Sequence, residues 1–179
     1  GDQLPFDPGV LVDDDGRVWL YSGFYNAVPA ILTGGHKLRC DGGTVLELEK
    51  DMVTIKTEPR VIFPKKGPGA FQGHEFFEAP SIRLVFDTYY FVYSSILMLE
   101  LCYATSKNPT RDFVYGGVIV SNCDLHIDTY KPADMPTAYG ANNHGSIVQI
   151  GEDWYIFYHR HTNNTWYSRQ GCAEKLQDR

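Results

Sequence analysis

Three polar residues of different kinds, Asp7, Glu78 and His144, each open a segment of the same make. The segments read Asp7-Pro-Gly-Val-Leu-Val, Glu78-Ala-Pro-Ser-Ile-Arg and His144-Gly-Ser-Ile-Val-Gln. In each, a polar residue precedes a small residue or proline, a short apolar strand, a tight turn and an aromatic-rich strand. Gathered at one point, two carboxyls and an imidazole are the parts of an acid–base site. A carboxyl walled by apolar side chains keeps its proton to higher pH, and a second carboxylate nearby raises it further. An acid tuned in this way protonates a leaving group near neutral pH. Scattered over separate turns, the same three residues would be ordinary surface groups.

The spacing says which architecture could gather them. The intervals are 71 and 66 residues, room for about four short strands per unit, as in a β-propeller blade. The first strand of each blade lines the central channel, so equivalent strand starts converge at one end of the axis. The expected fold is therefore all-β, with blade-like units over about residues 1–70, 71–140 and 141–179. Closed propellers need about four to eight blades, and an open set leaves sheet edges that invite pairing. The chain is thus expected to be part of a larger protein, with the remaining blades as its partner.

Each candidate has a plainer alternative. Glu78 follows His74-Glu75-Phe76-Phe77, which puts aromatic rings beside its carboxyl, but a strand-entry glutamate can simply bond to backbone. Asp7 precedes proline, a common turn start. His144 lies among Asn142, Asn143 and Gly145, where an imidazole can reach a ligand, a water or a metal, or serve as a structural hydrogen-bonding group. His159 and His161 alternate on one strand and face one side. Arg160 and Arg169 can grip hydroxyls or carboxylates bidentately, or pair across strands. Asp13-Asp14-Asp15-Gly16 could begin a calcium loop, but Phe24 occupies the closing position that needs a glutamate, so a hairpin turn between Val10–Val12 and Val18–Tyr21 is expected.

Further strands are expected at Val45–Leu48, Met52–Ile55, Tyr89–Ser94, Leu101–Ser106, Tyr155–His159 and Trp166–Arg169. Asn122–Pro136 reads as irregular, and no amphipathic helix is visible. Tyr21, Phe24, Tyr25, Phe71, Phe76, Phe77, Tyr139 and Trp166 suit a packed core and also stacking against sugar faces. A net charge of -6 without basic runs argues against nucleic acid, whose phosphates demand clustered Lys and Arg. No apolar run is long enough to span a membrane, and no compartment is indicated. Cys40, Cys102, Cys123 and Cys172 have no C-x-x-C spacing, so they read as separate, mostly buried thiols rather than a zinc or redox motif.

Asp7-Pro-Gly-Val with Asp13-Asp14-Asp15-Gly16, Phe77-Glu78-Ala-Pro-Ser-Ile-Arg with Tyr89-Tyr90-Phe-Val-Tyr, and Asn142-Asn143-His144-Gly-Ser-Ile with Trp154-Tyr155-Ile-Phe-Tyr-His159-Arg160 together resemble glycoside hydrolase family 43. The resemblance covers nearly the whole chain. It implies a five-bladed β-propeller, this chain supplying roughly blades two to four, that cleaves β-xylosides, α-L-arabinofuranosides or arabinan with inversion. By resemblance Glu78 is the general acid, Asp7 tunes and orients it, and His144 is the axial histidine near a metal ion, often calcium, or a water. Asn143, Arg160 and Arg169 are expected to join His144 in holding an oligosaccharide. The family's general base would lie before Gly1, because Asp2 lacks the strand context, so the isolated chain is expected to be inactive or nearly so. The alternative is a non-catalytic carbohydrate-binding propeller. The chain departs from the family at Leu84-Val85-Phe86 and Ile96-Leu97-Met98, which are apolar where the family tends to have polar turns.

Overall fold

The computed structural model describes residues 2–126, 131–138, 140 and 142–176. Tyr139 and part of the irregular stretch (127–130) lie outside the described residues. The fold is all-β, in three antiparallel meanders whose spatial order follows the chain. The first sheet holds β1 (Gly9–Val12), β2 (Val18–Phe24), β3 (Gly42–Leu48) and β4 (Arg60–Pro64). The second holds β5 (Phe76–Val85), β6 (Thr88–Ser95), β7 (Glu100–Ser106) and β8 (Val114–Ser121). The third holds β9 (Gly145–Ile150), β10 (Asp153–His161) and β11 (Arg169–Lys175).

The second sheet is sandwiched between the other two, and its sequence shows why. Along β6, Phe91 and Tyr93 face the first sheet while Val92 faces the third; along β7, Leu101 and Cys102 divide the same way. A strand buried on both faces needs apolar residues at both parities of its period of two. The first interface is aromatic. Phe63 lies 4.5 Å from Phe91, Tyr21 meets Phe91 edge-on at 5.6 Å, and Phe76 and Tyr93 complete the cluster. The buried Tyr21 hydroxyl donates to the Pro109 carbonyl at 2.8 Å, so its polar end is satisfied. The second interface is aliphatic, built from Val92, Leu101, Val120, Ile147 and Ile156.

The aspartate run closes the β1–β2 hairpin as a turn, with Gly16 at φ 80° and the Asp13 N–H donating to the Arg17 carbonyl at 2.9 Å. The Asp13 carboxylate is buried and accepts the Tyr89 hydroxyl at 2.8 and 3.0 Å. That bond ties the first sheet to the second at the end remote from Asp7.

Several strand expectations differ from the structure, and β4 was not anticipated. Met52–Ile55 is a turn rather than a strand, because the Asp51 carboxylate accepts the N–H groups of Val53 and Thr54 at 3.0 and 2.9 Å; Ile55 alone bridges to Leu48. β8 was not anticipated, since Gly116-Gly117 interrupts its pattern; the Tyr103 ring covers Gly116 so closely that a Cβ there would lie 2.2 Å from it. The last strand starts at Arg169 and runs to Lys175, because residues 162–168 close a turn in which Asn163 and Asn164 take φ of 53° and 52°. The apolar Ile96–Leu99 stretch is still a turn, closed by the Met98 N–H on the Ser95 carbonyl at 2.9 Å.

The first strands of the three sheets, β1, β5 and β9, lie side by side. Gly9 is so close to β5 that a Cβ would sit 2.3 Å from the Pro80 carbonyl oxygen, and the Ser81 hydroxyl donates to that of Ser146 across β5 and β9 at 2.8 Å. Between them opens a cavity of about 430 Å³ lined by Gly9, Val10, Pro80, Ser81, His144 and Ser146 among others. Gly9→Ala should therefore force the two strands apart and cost about 1–3 kcal/mol. Gly171→Ala, in open space, should be near neutral, and urea denaturation of both variants measures the difference.

Candidate active site

The three strand starts meet beside this cavity, which Pro8, Pro80 and His144 line. Asp7 precedes β1, Glu78 is the third residue of β5, and His144 precedes β9. His144 Nδ1 stands 3.8 Å from Asp7 Oδ2, although 137 residues separate them. Glu78 is buried, 5% exposed, and its position on β5 is irregular. The β5–β6 register shifts on both sides of Glu78, and Ala79 takes φ 62° while Asp7 takes φ 47°. Left-handed backbone at residues with a Cβ costs of order 1 kcal/mol each and persists only where the surroundings enforce it. Here the shift turns the Glu78 side chain out of the regular alternation of the strand.

Burial is the main cause that lifts the Glu78 carboxyl from its ordinary 4.5 to about 7, and the negative charge of Asp7 adds to it. A side-chain hydrogen bond from Asn142 and the charge of Arg169 act in the opposite direction. The aromatic wall read from the sequence is present on one side. Phe77 is buried and packs against Phe24 at 5.0 Å, which packs on Phe6 at 4.5 Å. Phe76 instead points into the core between the first two sheets.

Asn142 is the residue that sequence reasoning missed. Its side chain acts on Glu78 to lower its pKa and accepts Arg169 Nη2 at Oδ1, 3.3 Å away. Its backbone carbonyl meets His159 Nε2 at 3.2 Å and His161 Nε2 at 2.9 Å. The two histidines do share one face of β10, as their alternation predicts, and burial chiefly holds the His159 imidazole below its usual pKa. Asn143, the neighbour singled out from the sequence, is 1% exposed, and neither atom of its amide has a protein partner. Its side chain points into the interior rather than toward the mouth. In two consecutive asparagines at a strand entry, alternation puts one on each face, and only the register says which.

The remaining candidates divide. Arg169 is exposed and reaches the Glu78–Asn142 pair. Arg160 is half-buried and turned toward Asp124, with Nη2 3.9 Å from Oδ2, so it stands in an ion pair away from Glu78. His144 is half-exposed at the rim. Asp2 is exposed, and its backbone carbonyl accepts the Arg39 N–H at 2.8 Å. The four cysteines are free thiols, three of them buried. Among the described residues no helix is long and apolar enough to cross a membrane.

Three sheets thus meet along their first strands with a carboxyl of raised pKa at the strand starts, and comparison with known proteins gives the lineage of the chain. The profile of glycosyl hydrolases family 43 matches residues 1–178, and the chain belongs to that family. A xylosidase/arabinosidase of Thermoclostridium stercorarium is 58% identical over 99% of this chain, which spans 36% of that protein. A xylosidase/arabinosidase of Bacteroides ovatus is 31% identical over 86% of the chain and 47% of its own length. Among solved structures, CoXyl43, a family 43 β-xylosidase/α-arabinofuranosidase from a compost microbial metagenome, was determined with xylotriose in a calcium-free form. It superposes with a TM-score of 0.73 at 27% identity, over 98% of this chain and 55% of that one. The chain thus spans about a third to a little over half of these relatives.

The raised pKa makes Glu78 a pH-dependent load on the fold. Between pH 4.5 and about 7 the folded chain holds a proton that the unfolded chain has lost, so stability falls as pH rises through that window. Glu78→Gln removes the load. Its stability relative to the parent should be greater at pH 8 than near pH 4.5 by on the order of 3 kcal/mol, read from denaturation curves at the two pH values.

Proposed function

We propose that this chain carries the acid half of the active site of an inverting glycoside hydrolase that acts on xylan- or arabinan-derived oligosaccharides. The observation that carries this reading is the buried Glu78 carboxyl, raised to about 7 by burial and by Asp7, where the starts of three first strands come together. Glu78 donates its proton to the glycosidic oxygen as the bond to the sugar breaks. Asp7 holds that proton in place beforehand, and Asn142 and Arg169 stabilise the carboxylate that remains. His144 and Arg169 stand at the rim, where they can bond sugar hydroxyls. The names of the relatives support a β-xyloside or α-L-arabinofuranoside as the substrate end.

Inversion requires a second carboxylate, about 6.5–9.5 Å from the acid, to activate water on the opposite face of the sugar. We assign it to the part of the protein beyond this chain, which would take the second to fourth places in a five-bladed propeller. Asp7 is committed to tuning Glu78 and lies beside His144. Calcium takes six to eight oxygen ligands, and beside the Glu78 carboxyl that is to carry the proton this end of the cavity offers one further carboxylate, an imidazole and two serine hydroxyls already bonded to each other. These residues alone do not fit a calcium cage.

In the full-length protein, Glu78→Gln should lower kcat on unactivated xylosides or arabinosides by about 10²–10⁴-fold, with sugar binding retained. Substrates with an activated aryl leaving group, which needs no proton, should lose much less. Equal loss on both kinds of substrate would remove the acid role, and sugar binding without any turnover would favour a carbohydrate-binding propeller. The isolated chain should show no turnover.

The alkaline limb of kcat/KM reports the acid in the free enzyme. Asp7→Asn should move that limb to lower pH, because a charge that raises Glu78 is gone. Arg169→Gln should move it to higher pH, because a charge that lowers Glu78 is gone. A pH-rate profile of each variant shows the direction.

A further inference from the structure

A second polar cluster lies away from Glu78, under the segment that links β4 to β5. His74 Nδ1 is 2.6 Å from Glu100 Oε1, Cys102 Sγ is 3.4 Å from the same oxygen, and the sulfur and the imidazole nitrogen are 3.9 Å apart. Glu100 and Cys102 are buried in β7, whereas the His74 side chain is partly open to solvent. The Ser95 hydroxyl donates to Glu100 Oε1 as well, at 2.7 Å, so three donor groups crowd one buried carboxylate oxygen. The Asp7–Glu78–His144 group uses none of these residues.

We propose that His74, Glu100 and Cys102 form a binding site for a borderline-soft divalent cation of the zinc type. Imidazole, carboxylate and thiolate are the three ligand types that zinc accepts, at about 2.0–2.3 Å in a tetrahedron, which sets ligand atoms about 3.3–3.6 Å apart. The sulfur-to-oxygen separation is already in that range and the sulfur-to-nitrogen separation lies just outside it. The nitrogen and oxygen need to open by about 0.7 Å to reach it, a movement the partly exposed His74 ring can make. Water takes the fourth position through the same opening.

Charge favours the same occupant. A dication between one carboxylate, one thiolate and a neutral imidazole leaves a site with no net charge, which removes the penalty of burying Glu100 as an anion. On binding, the Cys102 thiol proton goes to solvent, and the imidazole carries its remaining proton on Nε2. The surroundings are built to hold the ligands. Tyr115 stacks on the His74 ring at 5.0 Å, and its hydroxyl lies 3.8 Å from Cys102 Sγ. The Tyr93 hydroxyl fixes the His74 carbonyl at 2.7 Å. Outer contacts of this kind orient metal ligands and tune their affinity. The sequence spacing hides the group, because the three residues come from a linking segment and one strand 26 and 28 residues away. A bound ion would staple the link between the first two sheets.

The test uses the full-length protein, stripped with a chelator and titrated with cobalt(II), then zinc(II), with calcium as the control. Cobalt should produce a thiolate-to-metal charge-transfer band that saturates at one ion per chain, is displaced by zinc and is untouched by calcium. Cys102→Ser should abolish the band, and His74→Gln and Glu100→Gln should each weaken binding at least about tenfold. Because His74 is partly exposed, its variant should keep the fold, which circular dichroism of the metal-free protein checks. No band, or a band that persists in both Cys102→Ser and His74→Gln, overturns the proposal.

Discussion

The first strands β1, β5 and β9 can lie side by side only because almost nothing stands between them at their starting ends. Gly9 has no Cβ to strike the Pro80 carbonyl of β5, while Gly145 makes room for its own sheet partner β10 at the Phe157 carbonyl and for Leu101 of β7. The glycine that opens β1 is therefore a spacing device against β5. It sets how close the two strands come, and so how close Asp7 and Glu78 come to one another. The aromatic and aliphatic layers on the two faces of the second sheet hold the strands at that spacing, and the Asp13–Tyr89 bond fixes the far end.

Gathering the polar residues so tightly has an electrostatic consequence that the local structure absorbs. A carboxyl both buried and next to another carboxylate would lose its charge, or its place, without help. The irregular β5 entry and the left-handed Ala79 turn Glu78 into position, while Asn142 and Arg169 offer partial compensation to its anion. Two tendencies are thus set against each other at one carboxyl. Burial and Asp7 favour the acid, and Asn142 and Arg169 favour its conjugate base, which is the balance a group needs if it must give up a proton during each turnover.

Much of this was legible in the sequence because it repeats. The segments 7–21, 78–93 and 144–158 share one hairpin pattern and one polar opening residue, so the convergence of Asp7, Glu78 and His144 followed from topology alone. What was not legible depended on a one-residue choice or on a contact between distant segments. Asn142 and Asn143 are chemically identical, and only the register of the β9 entry decides which one faces Glu78. Arg160 and Arg169 looked alike as cations, but Asp124 claims one and Asn142 the other. β8 escaped notice because Gly116 carries no side chain to mark the pattern, having been displaced by the ring of Tyr103. Met52–Ile55 looked like a strand because its residues are apolar, yet the Asp51 side chain captured the backbone donors that a strand would have used.

The outermost strands have one more property. β4 ends in Pro64, which offers no N–H to a neighbour; β8 is bent at Gly116-Gly117; and β11 is exposed at six of its seven residues, with Arg169, Glu174 and Lys175 among them. Each sheet thus presents to solvent an edge that is short, kinked or charged, and such edges are poor templates for adding foreign strands. Association along the outer rim is discouraged sheet by sheet, so the protein is guarded against edge-to-edge aggregation while the faces of its sheets stay free to stack.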